Sequence, residues 1–285
     1  MSSSATYELA LVRRRVRRQA ARSVLGAVGR SLLTFVLTVA LVLVIWWGVL
    51  AVFHVDPFVA KSPADVWEYL VTSPRAAEHR ADVLDPLGTT LVDALIGFTA
   101  GLLAALVGAT VFQLSKGVEN ALMPVAMLLR SVPLIAMAPV IIMIFGRGTA
   151  VVAVIGGIVV LFPALVTIAY GLKQAPPAST DLVHVYGGGS WSALRKVALP
   201  ASLPSFFAAV RISVPGAITG ALLAEWLATG TGIGHAVSEA KTQVQFSFLW
   251  SSVVVVTAVS LVLYNLVALL ESIALARAGM KQTQV

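Results

Sequence analysis

Long apolar segments recur along the chain, and they constrain its fold more than any other feature. They lie at about residues 32–53, 87–114, 121–145, 149–170, 205–228 and 249–275. A helix needs about 20 apolar residues to cross the roughly 30 Å hydrocarbon core of a bilayer. Only 12% of the residues are charged and 58% are hydrophobic, whereas a soluble domain carries about 25% charged residues. The sequence therefore predicts an all-α membrane protein with about six transmembrane helices.

Lys and Arg are divided unevenly between the two sides of the predicted bundle. With the N-terminus inside, thirteen fall on the cytoplasmic side: Arg13, Arg14, Arg15, Arg17, Arg18, Arg22, Arg30, Lys116, Lys173, Arg195, Lys196, Arg277 and Lys281. Five fall outside: Lys61, Arg75, Arg80, Arg147 and Lys241. Cytoplasmic loops are enriched in positive residues, so the bias predicts a cytoplasmic N-terminus.

This orientation predicts how the chain is divided. The parts are a basic cytoplasmic segment 1–31, a first transmembrane helix 32–53, an extracytoplasmic loop 54–86, a transmembrane core 87–275 with a cytoplasmic loop 171–204, and a cytoplasmic tail 276–285. Because the N-terminal arginines lie beside a span, we interpret them as an anchor to anionic lipid rather than a nucleic-acid site.

Side chains suited to catalysis or metal binding are scarce. Cysteine is absent, which excludes disulfides and thiolate ligands. His54, His79, His184 and His235 all fall in predicted loops, and His184 has no second ligand three or four residues on. The glycines at 187–189 lack the Gly-x-x-x-x-Gly-Lys-Ser/Thr pattern of a phosphate loop. We expect no catalytic residue, no metal site and no cofactor in this chain.

Charged residues at membrane depth are functional candidates by default, because they are costly there. Glu225 is either a functional carboxylate, or a structural one that pairs with Arg130 or Arg211 or caps a helix. Arg130 either lines a path for anions or extends its guanidinium to the cytoplasmic interface, as we expect for Arg211.

Three prolines, Pro124, Pro133 and Pro139, interrupt the third apolar segment. Such breaks occur where protein or a cavity satisfies the freed carbonyls. Pro133 and Pro139 indicate either a kinked gating helix or a static kink. Together with Arg130 and Glu225, they are our candidates for the translocation path.

The cytoplasmic loop predicts a helix, a turn and a second helix. Pro176 and Pro177 stop the preceding helix, Ser179 or Thr180 can cap a new one with Asp181 in its first turn, and 187–189 break it. Trp191, Leu194 and Val197 then share a face, and Pro200 and Pro204 end the unit. A short helical pair of this kind suits insertion into a groove of a partner protein.

The spacing of this loop resembles the EAA loop of membrane subunits of bacterial ABC importers, E-A-A-x3-G-x9-I-x-L-P. Asp181 takes the place of the Glu, and Gly187, Val197, Leu199 and Pro200 fall on the other anchor positions. Leu182 and Val183 replace the two alanines, which is a departure from the motif. The resemblance implies that this loop is the coupling helix that sits in a cleft of the ATP-hydrolysing subunit.

More of the chain, roughly 56–271, is similar to permeases of nitrate, sulfonate and taurine importers. The similar segments are Ser62–Val66, Leu129–Pro139 with Phe145-Gly146, Ala224-Glu225 and Gly232–Gly234. The same branch includes permeases for thiamine-precursor pyrimidines and for riboflavin. The resemblance therefore implies a type I ABC importer permease and leaves the solute open between a small anion or sulfonate and a pyrimidine or vitamin precursor.

The resemblance also implies partners and a location. These are two cytoplasmic ATP-binding subunits that hold ATP and Mg, a second copy of the chain or a similar permease, an extracytoplasmic solute-binding protein, and the cytoplasmic membrane of a prokaryote. ATP hydrolysis is then expected in a separate subunit, so this chain is not itself an enzyme. The alternative is a stand-alone secondary transporter or channel, which is weakened because no repeat relates the two halves.

Overall fold

The computed structural model describes residues 36–278, which fall into two compact units divided between Trp67 and Glu68. The described part of the first unit contains the apolar helix α1 (Val36–Val52) and the short α2 (Pro63–Trp67). Asp65 accepts hydrogen bonds from the backbone N–H of Ser62 at 2.7 Å and from its hydroxyl at 2.8 Å. The Asp65 N–H in turn donates to the Ser62 hydroxyl at 3.3 Å. This reciprocal cap explains why a helix starts at the Ser-Pro sequence. The predicted basic segment 1–31 lies outside the described residues.

The second unit is built from helices. They are α3 (Ala76–Leu114), α4 (Lys116–Ser131), α5 (Leu134–Phe145), α6 (Thr149–Lys173), α7 (Pro177–Val185), α8 (Ser190–Ala193), α9 (Leu199–Ala201), α10 (Leu203–Ala224), α11 (Gly232–Thr242) and α12 (Phe246–Arg277). π-Helical turns occupy Glu68–Thr72, Leu194–Ala198 and Glu225–Thr229. No strand occurs within residues 36–278, and the predicted all-α membrane fold is confirmed.

Within residues 36–278, four helices are long and apolar enough to cross a membrane: α3, α6, α10 with its following π-helical turn, and α12. They match the predicted second, fourth, fifth and sixth spans. α3 begins at Ala76, inside the predicted loop 54–86, and has 39 residues. At about 1.5 Å per residue this helix exceeds the roughly 30 Å apolar core, so its first turns extend beyond the membrane.

The start of α3 is fixed by the preceding turn. The rings of Tyr69 and His79 stack with centroids 3.8 Å apart, and Nδ1 of His79 lies 2.9 Å from the Tyr69 carbonyl oxygen. Arg80 donates to the Leu70 carbonyl at 2.8 Å. Burial raises the pKa of the Tyr69 hydroxyl, and the nearby Asp82 raises it further. These bonds satisfy carbonyl groups that the turn leaves free.

Glycines bring the backbones of α3 and α6 into direct contact. A Cβ atom on Gly97 would lie only 2.7 Å from the Cα of Gly156, and one on Gly101 would lie 2.7 Å from the Cβ of Val160. Small residues at such crossings let helices pack closely in lipid. Because residue numbers rise together along both helices, α3 and α6 are parallel.

The parallel arrangement decides the path of the chain between them. Since α3 and α6 run in the same direction, residues 115–148 must return across the bilayer. α4 packs beside one end of α6 and α5 beside the other, and the two helices meet at 104°. α4 and α5 therefore form one broken span at the position of the predicted third span.

Only one of the three prolines in this span breaks it. Val132 and Pro133 are extended, with ψ of 126° and 115°, as expected for a residue before proline and for proline itself. Pro124 lies inside α4 and Pro139 inside α5. The predicted interruptions at Pro124 and Pro139 are thus wrong, because a proline can remain within a continuous helix when neighbouring residues keep helical angles.

α10 is antiparallel to α6, and α12 is antiparallel to α10. A Cβ on Gly220 would lie 2.7 Å from the Cα of Gly156, while Gly171 at the end of α6 lies against Ser205 near the start of α10. Consequently residues 174–202, hereafter the hairpin, and α11 lie at opposite ends of the bundle. We call these the hairpin end and the α11 end.

Candidate functional site

The hairpin contains a helix that ends with a full set of capping bonds. α7 ends in the Schellman pattern, in which Gly188 N–H donates to the Val183 carbonyl at 2.8 Å and Gly187 N–H to the His184 carbonyl at 2.9 Å. Gly187 has φ of +80°, a conformation that favours glycine. Gly188 is also required, since a Cβ there would lie 2.8 Å from the Val183 carbonyl oxygen. The glycine run is therefore a helix stop and a sharp turn.

One side of the hairpin is anchored in the core. Leu194 and Ala198 are buried in a cluster formed with α3, α6 and α10, and Ala193 beside them is also buried. Leu199 is half-buried against the same cluster. The ion pair between Lys173 at the end of α6 and Glu119 in α4 lies at the same end of the bundle. The hairpin is thus held at its base by apolar packing.

The other side of the hairpin is an exposed apolar patch. Val185 is 82% exposed, Tyr186 84% and Trp191 60%, and Leu182 is also exposed. We call these four residues the hairpin patch. Large apolar side chains grouped on an exposed turn are typical of a protein interaction site. Aromatic residues at such positions contribute strongly to binding energy in interfaces.

The residues predicted for coupling divide between these two sides. Asp181, Leu182, Gly187 and Pro200 are exposed, whereas Val183, Val197 and Leu199 are half-buried. The structure brings them into one hairpin.

Two local predictions for the hairpin are wrong. α7 is capped by Pro176 and begins at Pro177 rather than at Ser179 or Thr180, because proline is pre-organised for a first helical turn. Trp191 and Leu194 do not share a face, since Leu194 is buried and begins a π-helical turn.

Glu225 is fully buried, with 0% exposure, at the α11 end. Its Oε2 atom accepts hydrogen bonds from the Thr90 hydroxyl at 3.0 Å and from the Gly234 N–H at 2.8 Å. Thr90 Oγ1 in turn accepts from the Ile233 N–H at 2.9 Å. We call this arrangement the Glu225 latch. It joins α3, α10 and the first turn of α11, where free N–H groups and the helix dipole favour a carboxylate.

Two glycines at the start of α11 make the close contact of the latch possible. Gly232 has φ of +77°, and a Cβ there would overlap the Glu225 carboxyl group. At Gly234 a Cβ would lie 3.0 Å from the Glu225 Cβ. The Gly-x-Gly sequence is therefore required by the close approach of backbone and carboxylate.

The latch decides between the roles that the sequence left open for Glu225. Glu225 caps a helix and pairs with neither Arg130 nor Arg211 among the described residues. Arg211 lies 3.2 Å from the buried Glu271 carboxylate in α12, and its guanidinium carbon lies 5.7 Å from the centre of the Tyr264 ring. Arg211 is thus a paired, largely buried residue, and the expectation that it extends to the interface is wrong.

Arg130 is exposed in the last turn of α4, three residues before Pro133. Within residues 36–278 its side chain has no ion pair or hydrogen bond. Ala126 packs against the core cluster at the hairpin end, whereas Leu134 packs against the cluster at the α11 end. Arg130 therefore lies between the two clusters, partway through the broken span. An exposed cation at such a place is suited to an anion or to a neighbouring subunit.

A cavity of about 450 Å³ lies between α10, α11 and α12. Its wall is mainly apolar, and among the described residues that line it Lys241 alone is charged. Within residues 36–278, no group of three His, Asp or Glu side chains is placed to hold a metal ion. This cavity could not be predicted from the sequence, because its walls come from three separate helices.

Residues 97–275 match the family of the binding-protein-dependent transport system inner membrane component. The chain is 28% identical over 233 residues to a probable ABC transporter permease protein of Haemophilus influenzae, covering 82% of this chain and 93% of that protein. It is 28% identical over 238 residues to the riboflavin transport system permease protein of Chloroflexus aurantiacus, covering 82% and 86%. With the taurine transport system permease protein of Escherichia coli the identity is 25% over 205 residues, covering 71% and 74%.

A solved structure has a similar fold. The crystal structure of an amino acid ABC transporter with histidines superposes with a TM-score of 0.52 at 16% identity, covering 70% of this chain and 96% of that chain. The matched residues 97–275 include the hairpin and the latch carboxylate Glu225, whereas Thr90 lies before them. The chain therefore belongs to the family of binding-protein-dependent transport system inner membrane components, as an ABC importer permease of the nitrate, sulfonate and taurine type.

Proposed function

We propose that this permease forms half of a solute path and is driven by separate cytoplasmic ATP-binding subunits that dock on the hairpin. The observation that carries the proposal is the division of the hairpin into an anchored base and an exposed apolar patch. A loop with no partner would be expected to bury Tyr186 and Trp191 or to replace them with polar residues. Covering them in a groove of the ATP-binding subunit removes apolar surface from water and fixes the contact.

The anchored base explains how force would reach the membrane helices. Leu194 and Ala198 pack directly on α3, α6 and α10, and α9 leads into α10 after Ser202 alone. A displacement of the hairpin patch is therefore transmitted to α10 without an intervening flexible loop. Asp181, exposed on α7, adds a charge at the edge of the docking surface. ATP and Mg²⁺ belong to the partner in this proposal.

A second copy of this chain is the partner that best fits the broken span. α4 has no buried residue. The strongly exposed apolar side chains of the broken span include Leu128 in α4 and Met143 in α5. Lipid could cover these residues, but Arg130 lies among them, and a charge facing lipid is costly. A homodimer that encloses Arg130 from both copies gives a protein-lined, cationic passage.

The solute that this passage favours is a small anion. Relatives include permeases named for aliphatic sulfonates, taurine and bicarbonate, as well as for riboflavin and formylaminopyrimidine. Arg130 at the broken span and Lys241 at the cavity place positive charge at two depths of the molecule. Positive charge attracts anions over a distance and raises their local concentration. A solute-binding protein outside the bacterial plasma membrane would deliver the anion to the α11 end.

Charge substitutions in the hairpin patch test the docking proposal. Leu182→Asp and Trp191→Asp place charges in an apolar contact, and we expect loss of ATPase association and of ATP-driven uptake in proteoliposomes. Ser179→Asp adds the same charge to the first turn of α7, where it is tolerated, and serves as the control. The proposal is wrong if both patch variants retain association and uptake. Ion-driven uptake by the chain alone would instead indicate a secondary transporter.

A further inference from the structure

α10 connects the two ends of the bundle. With its following π-helical turn it spans Leu203–Thr229, 27 residues, or about 40 Å at 1.5 Å per residue. Its first residue follows the hairpin, and its Glu225 side chain holds α11. The helix between these points packs closely, since Gly220 lies against Gly156 of α6. Side-chain and backbone contacts of this kind resist bending and favour movement as a unit.

π-Helical turns lie on both sides of α10, at Leu194–Ala198 in the base of the hairpin before α9, and at Glu225–Thr229 directly after α10. Turns of this type are rare and are often found at functional positions in helices. The second ends at Gly230, with φ of +70°. The chain thus changes its hydrogen-bond pattern in the base of the hairpin and again between α10 and α11.

Burying the Glu225 carboxylate costs more free energy than a contact that serves packing alone would require. Glu225 is fully buried, its Oε1 atom has no hydrogen-bond partner among the described residues, and no basic side chain of that part of the chain pairs with it. Buried polar atoms without partners are uncommon in folded proteins, and a carboxylate costs more than a neutral group. An apolar residue at position 225 would fill the same space without this cost, but it would not hold α11 by directed bonds.

We propose that Thr90 and Glu225 are positioning residues for transport, because the latch ties α11 to α10 and so carries displacement of the hairpin to the opposite end of the bundle. This inference rests on the proposed ATP-driven function. α11 packs on α3, α10 and α12, so a shift of α10 that pulls on the latch moves a helix that covers the α11 end. The latch thereby links ATPase docking on one side to the surface at which solute enters.

Thr90→Val tests the latch with little change in shape, because it removes the hydroxyl that joins Glu225 to the Ile233 N–H. Thr90→Ser retains that hydroxyl and should restore function. Thr99→Val is the matched control, since the Thr99 hydroxyl in the same helix bonds only to the α3 backbone, at Leu95 and Ile96. The assay is the number of solute molecules taken up per ATP hydrolysed, in liposomes with the co-purified ATP-binding subunits.

We expect Thr90→Val to assemble normally and to hydrolyse ATP at the basal rate, but to lower the uptake-to-hydrolysis ratio about tenfold. Thr90→Ser and Thr99→Val should keep the wild-type ratio. A wild-type ratio in Thr90→Val would overturn the inference and leave the proposed function intact. Failure of the wild-type chain to couple ATP hydrolysis to uptake would instead overturn the proposed function.

Spin labels provide a second measurement that depends on no latch variant. The chain has no cysteine, so Glu78→Cys and Thr242→Cys place single labels at exposed positions on α3 and α11. We expect the distance between these labels to differ between the nucleotide-free and ATP-bound complexes of the otherwise native chain. Distances that coincide in the two states would overturn the inference even if Thr90→Val failed to fold.

Discussion

The close contact of α3 and α6 at their glycines predicts a loss of stability on substitution, and its magnitude follows from the structure. A methyl group on Gly97 would lie 2.7 Å from the Cα and 3.0 Å from the carbonyl carbon of Gly156. Carbon atoms approach comfortably to about 3.5–4.0 Å, so the two helices would have to separate by about 1 Å. Overpacking of this kind costs about 1–3 kcal/mol.

Gly88 provides a matched control on the same helix. A Cβ at Gly88 meets nothing within 4 Å, so Gly88→Ala changes only the helical preference, which favours Ala by about 0.5–1 kcal/mol. Gly97→Ala gains the same preference and adds the overlap. The difference between the two variants therefore isolates the overlap, and we expect Gly97→Ala to be less stable than Gly88→Ala by about 1–3 kcal/mol.

The assay is equilibrium unfolding of the purified chain in mixed micelles of mild detergent and dodecyl sulfate, followed by circular dichroism. The expected result is a lower unfolding midpoint for Gly97→Ala and an unchanged or higher midpoint for Gly88→Ala. Equal midpoints would refute the close crossing of α3 and α6, and with it the parallel arrangement that makes α4 and α5 a single span.

Three further predictions concern charges and glycines. Glu271→Gln leaves Arg211 without its counter-charge and should lower the free energy of unfolding by about 1–3 kcal/mol. Glu239→Gln, at an exposed position, should leave the free energy of unfolding unchanged. Gly232→Ala should displace α11 and raise its hydrogen exchange more than Gly230→Ala, because both glycines have positive φ but only Gly232 adjoins the Glu225 carboxyl; equal exchange would contradict the latch geometry. Arg130→Gln should raise the KM for uptake of a small sulfonate about tenfold while Arg130→Lys stays near wild type, and an unchanged KM in both would remove Arg130 from the path.

The sequence was sufficient for features that depend on local pattern. Hydropathy located the spans because lipid tolerates few charges along a helix. The proline and glycine positions located the hairpin because those residues act on their own backbone. The same local rules failed to choose among Pro124, Pro133 and Pro139, because all three prolines remove a backbone donor in the same way.

Long-range partners could not be assigned from the sequence. Thr90 is separated from Glu225 by 135 positions, and nothing in its own neighbourhood distinguishes it from the other threonines of α3. The sequence offered Glu225 two possible partners, Arg130 and Arg211, and only the antiparallel packing of α10 and α12 pairs Arg211 with Glu271 instead. The Gly-x-Gly sequence at 232–234 carried a signal, because two closely spaced glycines indicate close approach of a backbone, but it did not identify the carboxylate.

Crosslinking from the hairpin patch tests the docking of an ATP-binding subunit most directly. Val185→Cys provides one thiol on the hairpin, and Met143→Cys provides one on α5 at the α11 end, with native residues that are 82% and 85% exposed. A thiol-directed photo-crosslinker is attached to each variant in the assembled complex, and the crosslinked partner is identified by mass spectrometry. We predict that position 185 captures a protein containing Gly-x-x-x-x-Gly-Lys-Ser/Thr and that position 143 does not. Capture of that protein from position 143 instead, or from neither position, would contradict the docking of an ATPase on this hairpin.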